Sequence, residues 1–165
     1  RTLSAQAVQL GSGVQTLLIK IHHYDYENDF IEEVVDIRDV RGATAVMTKR
    51  QRVRFCNAES AILRDGLWGD GDQLTRYHVR GARRLGVTQE GIRRTMLLAV
   101  EPRPRDGVAH QLSVNRTMKN AFTERQGFFD LMAERPTGHL ALKVLFPRSR
   151  PPRSAPEGIQ AMSIV

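Results

Sequence analysis

In the stretch TKRQRVRF (residues 48–55), arginine stands at every second position from residue 50 onward. Val53 and Phe55 share one parity, while Arg50, Arg52 and Arg54 share the other. Successive side chains of a β-strand point to opposite faces of a sheet. The stretch therefore predicts a strand with one face toward an apolar core and one basic face toward solvent.

The same period of two recurs along the chain. It is clearest in QTLLIKI (15–21), the segment 30–40, LTRYHVRG (74–81), HQLSVNRTM (110–118) and HLALKVLF (139–146). RRTMLLAV (93–100) is a more continuous apolar run, which is typical of a strand buried on both faces. About seven or eight strands with short connections predict an all-β fold, an antiparallel β-sandwich of immunoglobulin-like or jelly-roll-like type.

Two segments leave room for a helix. Residues 88–101 and 118–132 place apolar side chains at helical as well as strand spacing. Gly127 would weaken a helix in the second segment by about 1 kcal/mol relative to alanine. One short helix therefore stays open as an alternative for these segments.

A chain of 165 residues fits one domain with tails. GSG at 11–13 interrupts the start, so residues 1–13 are interpreted as the end of a preceding helix or a linker. Residues 148–165 contain most of a proline-rich run and are interpreted as a linker and tail. The predicted β-sandwich domain spans residues 14–147.

The composition predicts a cytoplasmic protein. Cys56 is the single cysteine, so no internal disulfide can form, and no signal-peptide pattern is present. No apolar run approaches the roughly 20 residues that span a bilayer, so we expect no membrane contact. The chain begins at Arg1 rather than methionine, which we interpret as the sign of a piece of a longer protein.

The stretch RDGLWGDGDQL (64–74) is the most site-like part of the sequence, with three aspartates and three glycines around the single tryptophan, Trp68. An EF-hand register that starts at Asp65 puts Leu67 and Gly69 at oxygen-ligand positions and Arg76 where the bidentate glutamate belongs. A phosphate loop is excluded because its lysine is missing and the aspartates would repel an anion.

A β-hairpin explains this stretch better. Asp70–Gly71 suits the left-handed dihedrals of a type I′ turn, and the residues on both sides have strand character. The stretch is therefore interpreted as a hairpin tip that pairs its two flanking strands. A weak cation site and a partner contact through an exposed Trp68 stay open as alternatives.

No pattern in the sequence indicates catalysis. His22 and His23 are adjacent and would point to opposite faces of a strand, and the other histidines lack zinc-site spacing. Glu32 and Glu33 would also face apart, and there is no G-x-S-x-G elbow. We therefore expect a protein that is not an enzyme, with no catalytic residues, no cofactor and no metal site.

The arginine rows are the most distinctive feature. The net charge is +7, and two rows, Arg50, Arg52, Arg54 and Arg76, Arg80, form a candidate basic surface if their strands share a sheet. Three interpretations fit: binding of nucleic-acid phosphates, internal pairing with Glu32 and Asp36, or contact with an acidic protein partner. The aromatic content of 6% disfavours base stacking.

These observations favour a non-catalytic interaction or accessory module of a larger intracellular protein, which binds a protein partner, a neighbouring domain or a ligand. The alternative is a nucleic-acid-binding module that uses the arginine-rich sheet face. A third possibility is a β-barrel that carries a small apolar ligand, which would require an interior cavity of roughly 300 Å³ or more.

Overall fold

The structure is a computed structural model. It describes the side chains of residues 25–56, 61–68, 71–91, 93–123 and 135–149. It describes the backbone alone for residues 2–10, 14–22 and 163–164.

The described backbone forms strands and no helix. In chain order these are β1 Thr2–Leu10, β2 Val14–His22, β3 Tyr26–Ile37, β4 Thr44–Phe55, β5 Ile62–Leu67, β6 Asp72–Arg80, β7 Ala82–Glu90, β8 Arg93–Val100, β9 Ala109–Lys119, β10 Thr137–Phe146 and β11 Ser163–Ile164.

Strands β3 to β11 build two sheets. The larger sheet is six-stranded with the order β11-β10-β3-β4-β9-β6, and the smaller is three-stranded with the order β5-β8-β7. Most neighbours are antiparallel, while β10 pairs with both β3 and β11 in parallel. The predicted all-β class is confirmed, and the architecture is consistent with a β-sandwich. Strands β1 and β2 pair with each other in a separate two-stranded sheet.

The period of two in the sequence corresponds to burial in the structure. Along β4 every second residue is buried, and the series runs through Ala45, Met47, Lys49, Gln51, Val53 and Phe55. The intervening arginines face solvent. Because side chains alternate across a pleated strand, one row of β4 lies in the core and the other covers the sheet.

Three expectations about local structure need correction. Residues 88–90 belong to β7 and residues 93–100 to β8, so neither part is helical, and residue 92 lies outside the described part of the chain. Met118 and Lys119 end β9 and residues 120–123 form no helix, while residues 124–132 lie outside the described part of the chain. Thr2–Leu10 form strand β1 rather than the end of a helix or a linker.

The predicted tail also contributes backbone pairing, since Ser163 and Ile164 add β11 to the edge of β10. The limits of the sandwich domain at residues 14 and 147 stay a prediction.

The hairpin predicted at RDGLWGDGDQL is wrong. Strand β5 pairs with β8 in the small sheet, whereas β6 pairs with β9 in the large sheet. The stretch therefore crosses from one sheet to the other, and Gly69 and Asp70 lie outside the described residues. Gly71 does adopt a left-handed backbone with φ of 67°. A Cβ there would lie against the Lys119 carbonyl and 2.8 Å from the Asn120 carbonyl oxygen.

The buried apolar residues form two clusters. The first cluster lies between the two sheets and includes Val53, Phe55, Leu63, Leu98 and Val114. The second cluster lies toward the other end of the large sheet and includes Val35, Met47, Met118, Phe122 and Trp68. Lys49 and Gln51 separate the two clusters along β4, so the interior contains a polar zone.

Candidate functional site: a basic sheet face above a buried charge cluster

The two arginine rows lie on the same face of the six-stranded sheet. Strand β9 lies between β4 and β6, and its Ser113 is in register with Arg50 on one side and with Arg80 on the other. Adjacent strands are about 4.8 Å apart, so the Arg50 and Arg80 backbones lie roughly 10 Å from each other. The structure therefore brings together residues that are 30 positions apart in sequence. We call Arg50, Arg52, Arg54, Arg76 and Arg80 the basic face.

The β4 half of this face is paired internally. The Arg50 guanidinium lies 3.7 Å from the Glu32 carboxylate, as the alternating pattern predicted. Arg52 and Arg54 both contact Asp29 rather than Asp36, with distances of 3.1 Å and 2.9 Å. Asp29 lies where the register of β3 against β4 shifts, and this irregularity was not visible in the sequence.

The β6 half of the face is open. Arg76 and Arg80 are exposed on an edge strand. Neither residue has an ion pair within the described part of the chain. Their charge is therefore available to a partner, while most of the charge on β4 is balanced by neighbours. The aromatic residues next to these rows in sequence, Phe55 and Tyr77, are 0% and 5% exposed and belong to the core.

Below the basic face lies a cluster of buried charges that the sequence reasoning missed. Lys49 is the cross-strand neighbour of Glu33, and its Nζ lies 3.5 Å from Glu33 Oε1. From the small sheet, Asp65 Oδ1 approaches the same Nζ at 3.1 Å. All three residues are at most 8% exposed. Lys49 is therefore the shared counter-ion of two carboxylates inside the sandwich.

Tyr77 and Arg116 complete this cluster. The Tyr77 hydroxyl donates a hydrogen bond of 2.8 Å to Asp65 Oδ2. Arg116 is fully buried, is in register with both Met47 and Tyr77, and donates from Nη1 to the Gly66 carbonyl at 3.1 Å. Its Nε and Nη2 have no hydrogen-bond partner among the described residues. Buried donors without a partner reduce stability.

Lys49 and Tyr77 in this cluster both have raised pKa values. Burial alone lowers the pKa of Lys49, but the charges of Asp65 and Glu33 outweigh it and raise that pKa above its ordinary value of 10.5. Burial and the adjacent Asp65 carboxylate raise the pKa of Tyr77 far above 10.0. At neutral pH neither group can accept a proton, which leaves both unsuited to general-base chemistry.

A sequence signal for the buried cluster did exist. Lys49 has the parity of Val53 and Phe55, and Glu33 has the parity of Val35 and Ile37. Arg116 has the parity of Val114 and Met118. Polar residues in core parity mark a buried network when they come from neighbouring strands, but the sequence does not tell which strands are neighbours.

Trp68 is half-buried rather than fully exposed at a tip. Its ring packs edge-on against Phe122 with centroids 6.0 Å apart, and the Arg116 guanidinium lies 5.8 Å from its centroid. Trp68 is half-buried beside the second apolar cluster. A partner contact through the exposed part of Trp68 stays a prediction.

The described residues show neither a metal-binding cluster nor a membrane-spanning helix. They contain no group of three or more His, Cys, Asp or Glu side chains that could hold a metal ion. Within the same residues, no helix has the length and apolarity needed to cross a membrane.

Comparison with solved structures shows a weak likeness to a crystal structure of a two-domain M1 zinc metallopeptidase mutant bound to L-tryptophan. The TM-score is 0.33 and the sequence identity 13%, over 62% of this chain and 22% of that chain. This similarity is too low to support a statement about fold or function. No protein-family model matches the chain, and no curated protein does.

Proposed function

We propose that the chain is a non-catalytic β-sandwich module of a larger intracellular protein, and that it binds an acidic protein partner through the basic face. The observation that supports this most directly is the exposure of Arg76 and Arg80 without ion pairs among the described residues. Unbalanced positive charge steers acidic partners toward a surface and fixes their orientation.

The β4 arginines have a different part in this proposal. Arg50 is paired with Glu32, and Arg52 and Arg54 share Asp29, so two of these three positive charges are already balanced within the chain. Exposed pairs of this kind contribute about 0–1 kcal/mol each to stability, so a partner that broke one of them would destabilise the fold only a little.

A nucleic acid is the second candidate partner, because all five arginines lie on one sheet face. A phosphate backbone would be bound by Arg76 and Arg80 in the same way as a row of carboxylates. Neither Phe55 nor Tyr77 could stack on a base, because both are buried. We therefore place the acidic protein partner first.

The test compares the native chain with the double variant Arg76→Gln/Arg80→Gln. The probes are a polyglutamate peptide and a generic DNA duplex, and binding is titrated at about 50 mM and 200 mM salt. We expect the double variant to lose polyglutamate affinity by about tenfold at the lower salt. The charge-matched control is Arg41→Gln/Arg148→Gln, which removes two exposed arginines outside the face.

Three results would count against the proposal. Equal loss of affinity in the control would mean that only the net charge matters. Unchanged affinity in the Arg76/Arg80 variant would remove the basic face from binding. Tighter binding of the duplex than of polyglutamate, with a steep salt dependence, would favour the nucleic-acid alternative.

A further inference from the structure

Strand β7 (Ala82–Glu90) is an unusually exposed edge of the small sheet. It pairs with β8 on one side and with no other described strand on its other side. The eight residues 83–90 are all exposed. An edge strand of this length offers a row of backbone donors and acceptors that a further strand can pair with.

The other edge of this sheet is less suitable. Strand β5 has six residues, and Leu63, Asp65 and Leu67 alternate into the core. Asp65 is also held by Lys49 and Tyr77. Strand β7 is longer, and its exposed side chains are free of such constraints along most of its length.

Two large apolar side chains are exposed on this edge. Leu85 is 45% exposed and Val87 is 42% exposed. Val87 is in register with Met96, which is buried, so Val87 extends the apolar side of the small sheet beyond the part that is covered. The register shift between Arg84 and Gly86 sets Leu85 out of the regular pairing. An added strand would cover both side chains.

The charge around β7 is positive. Arginines stand at positions 83, 84, 93 and 94, at the two ends of the β7–β8 hairpin. Arg83 is paired with Glu101 at 2.9 Å, and Glu90 lies opposite Arg93 in the hairpin. Hydrogen bonds from the Leu74 N–H and the Thr75 hydroxyl lower the pKa of Asp72. The charge of the nearby Arg94 lowers that pKa further. Arg84 has no ion pair within the described residues.

We propose that the free edge of β7 binds an extended acidic segment of a partner protein as an added β-strand. Backbone hydrogen bonds supply affinity in this mode, and alternate side chains supply specificity. Arg84 and Val87 are in register with Leu98 and Met96, which are both buried, so they lie on the same face of the small sheet. An added strand would place an acidic side chain beside Arg84 and apolar side chains beside Leu85 and Val87. This site is separate from the basic face and does not depend on it.

A second copy of the chain is the less favourable occupant of this edge. Each chain carries a net charge of +7, and edge-to-edge pairing of two β7 strands would bring both sets of hairpin arginines together. Repulsion of this kind keeps proteins monomeric. Basic side chains and bulges on an edge strand also act against self-pairing. An acidic segment would be attracted by these arginines instead of repelled, so it is the occupant to test.

The experiment uses a nine-residue synthetic peptide in which four glutamates precede five valines. A peptide with lysine in place of glutamate is the charge control. Backbone amide exchange of the chain is followed with and without each peptide. We expect the glutamate peptide, and not the lysine peptide, to slow exchange of amides within residues 82–90. Reversal of one charge by Arg84→Glu is expected to weaken glutamate-peptide binding about fivefold at low salt.

The variants separate this proposal from the one above. Arg76→Gln/Arg80→Gln is expected to leave the protection of β7 intact, and Arg41→Glu is a control for charge reversal elsewhere. Protection of β5 or β6 instead of β7, or equal binding of both peptides, would overturn the inference. So would concentration-dependent dimerisation that protects β7 without any peptide, since the occupant would then be a second copy.

Discussion

Lys49 Nζ on the six-stranded sheet lies 3.1 Å from Asp65 Oδ1 on the three-stranded sheet, so an ion pair joins the two sheets in the interior. Glu33 contacts the same ammonium at 3.5 Å. Burial of charges costs several kcal/mol per ion, which attraction within the pair recovers only when the geometry is good. Such a pair fixes the position of one sheet over the other more specifically than apolar contact does.

Replacement of the buried Lys49 should therefore lower the stability of the fold strongly. In Lys49→Met two carboxylates, Glu33 and Asp65, lose their buried counter-ion, and we expect the free energy of unfolding to fall by about 3–5 kcal/mol. Urea denaturation measures the loss. Arg50→Met, the next residue on the solvent face, is the matched control and should change stability by about 0.5 kcal/mol or less. Equal effects of the two variants would contradict the buried arrangement.

The two raised pKa values predict alkaline instability. Each group is protonated in the folded chain to a higher pH than in the unfolded chain, so the stability that it contributes is complete below the unfolded pKa. It is lost progressively as pH rises from about 10.0 for Tyr77 and 10.5 for Lys49 toward the folded pKa of each. Thermal denaturation from pH 7 to 11.5 should show a falling midpoint above pH 10. Tyr77→Phe should show a shallower fall, and an identical slope would refute the coupling.

Asp39 predicts an acid-sensitive turn between β3 and β4. Its carboxylate accepts hydrogen bonds from the backbone N–H groups of Arg41, Ala43 and Thr44 at 3.0, 3.1 and 2.6 Å. Slight burial raises the pKa of Asp39, but the backbone hydrogen bonds have the larger effect and hold that pKa below its ordinary value of 3.8. A lowered carboxyl pKa contributes stability above 3.8 that is lost as pH falls through the folded pKa.

We therefore expect Asp39→Ala to destabilise the chain by about 1 kcal/mol at neutral pH. We also expect the difference from the native chain to shrink below pH 3.8. Differential scanning calorimetry at pH 7 and pH 3 measures both. A difference that stays constant with pH would show that the carboxylate charge is not involved.

Gly71 and Gly107 offer a matched test of backbone crowding. Both have left-handed dihedrals, with φ of 67° and 70°, but a Cβ meets the Lys119 and Asn120 carbonyls at Gly71 and nothing within 4 Å at Gly107. Gly107→Ala should cost about 1 kcal/mol from the dihedral alone. Gly71→Ala should cost clearly more, and Gly71→Val more again. Equal losses in chemical denaturation would show that the approach to residues 119 and 120 is not tight.

Much of the fold could be predicted because alternation is a local property. The geometry of a single strand was enough to predict two opposite faces, one with Val53 and Phe55 and the other with Arg50, Arg52 and Arg54. The same pattern correctly placed Leu142 and Val144 on the inner side of β10. The sheet assignment of β5 and β6 was wrong because Asp70–Gly71 has hairpin chemistry, whereas long-range pairing with β8 and β9 decides where the two strands go.

The sequence by itself determined the all-β class, the strands along most of the chain and the side of each strand that carries arginine. Only the tertiary structure decided that β9 lies between the two arginine rows and that Lys49 meets carboxylates from both sheets. The physical reason is that alternation fixes where a side chain points relative to its own strand. Its neighbours depend on strand order and register, which are set by contacts between residues far apart in sequence.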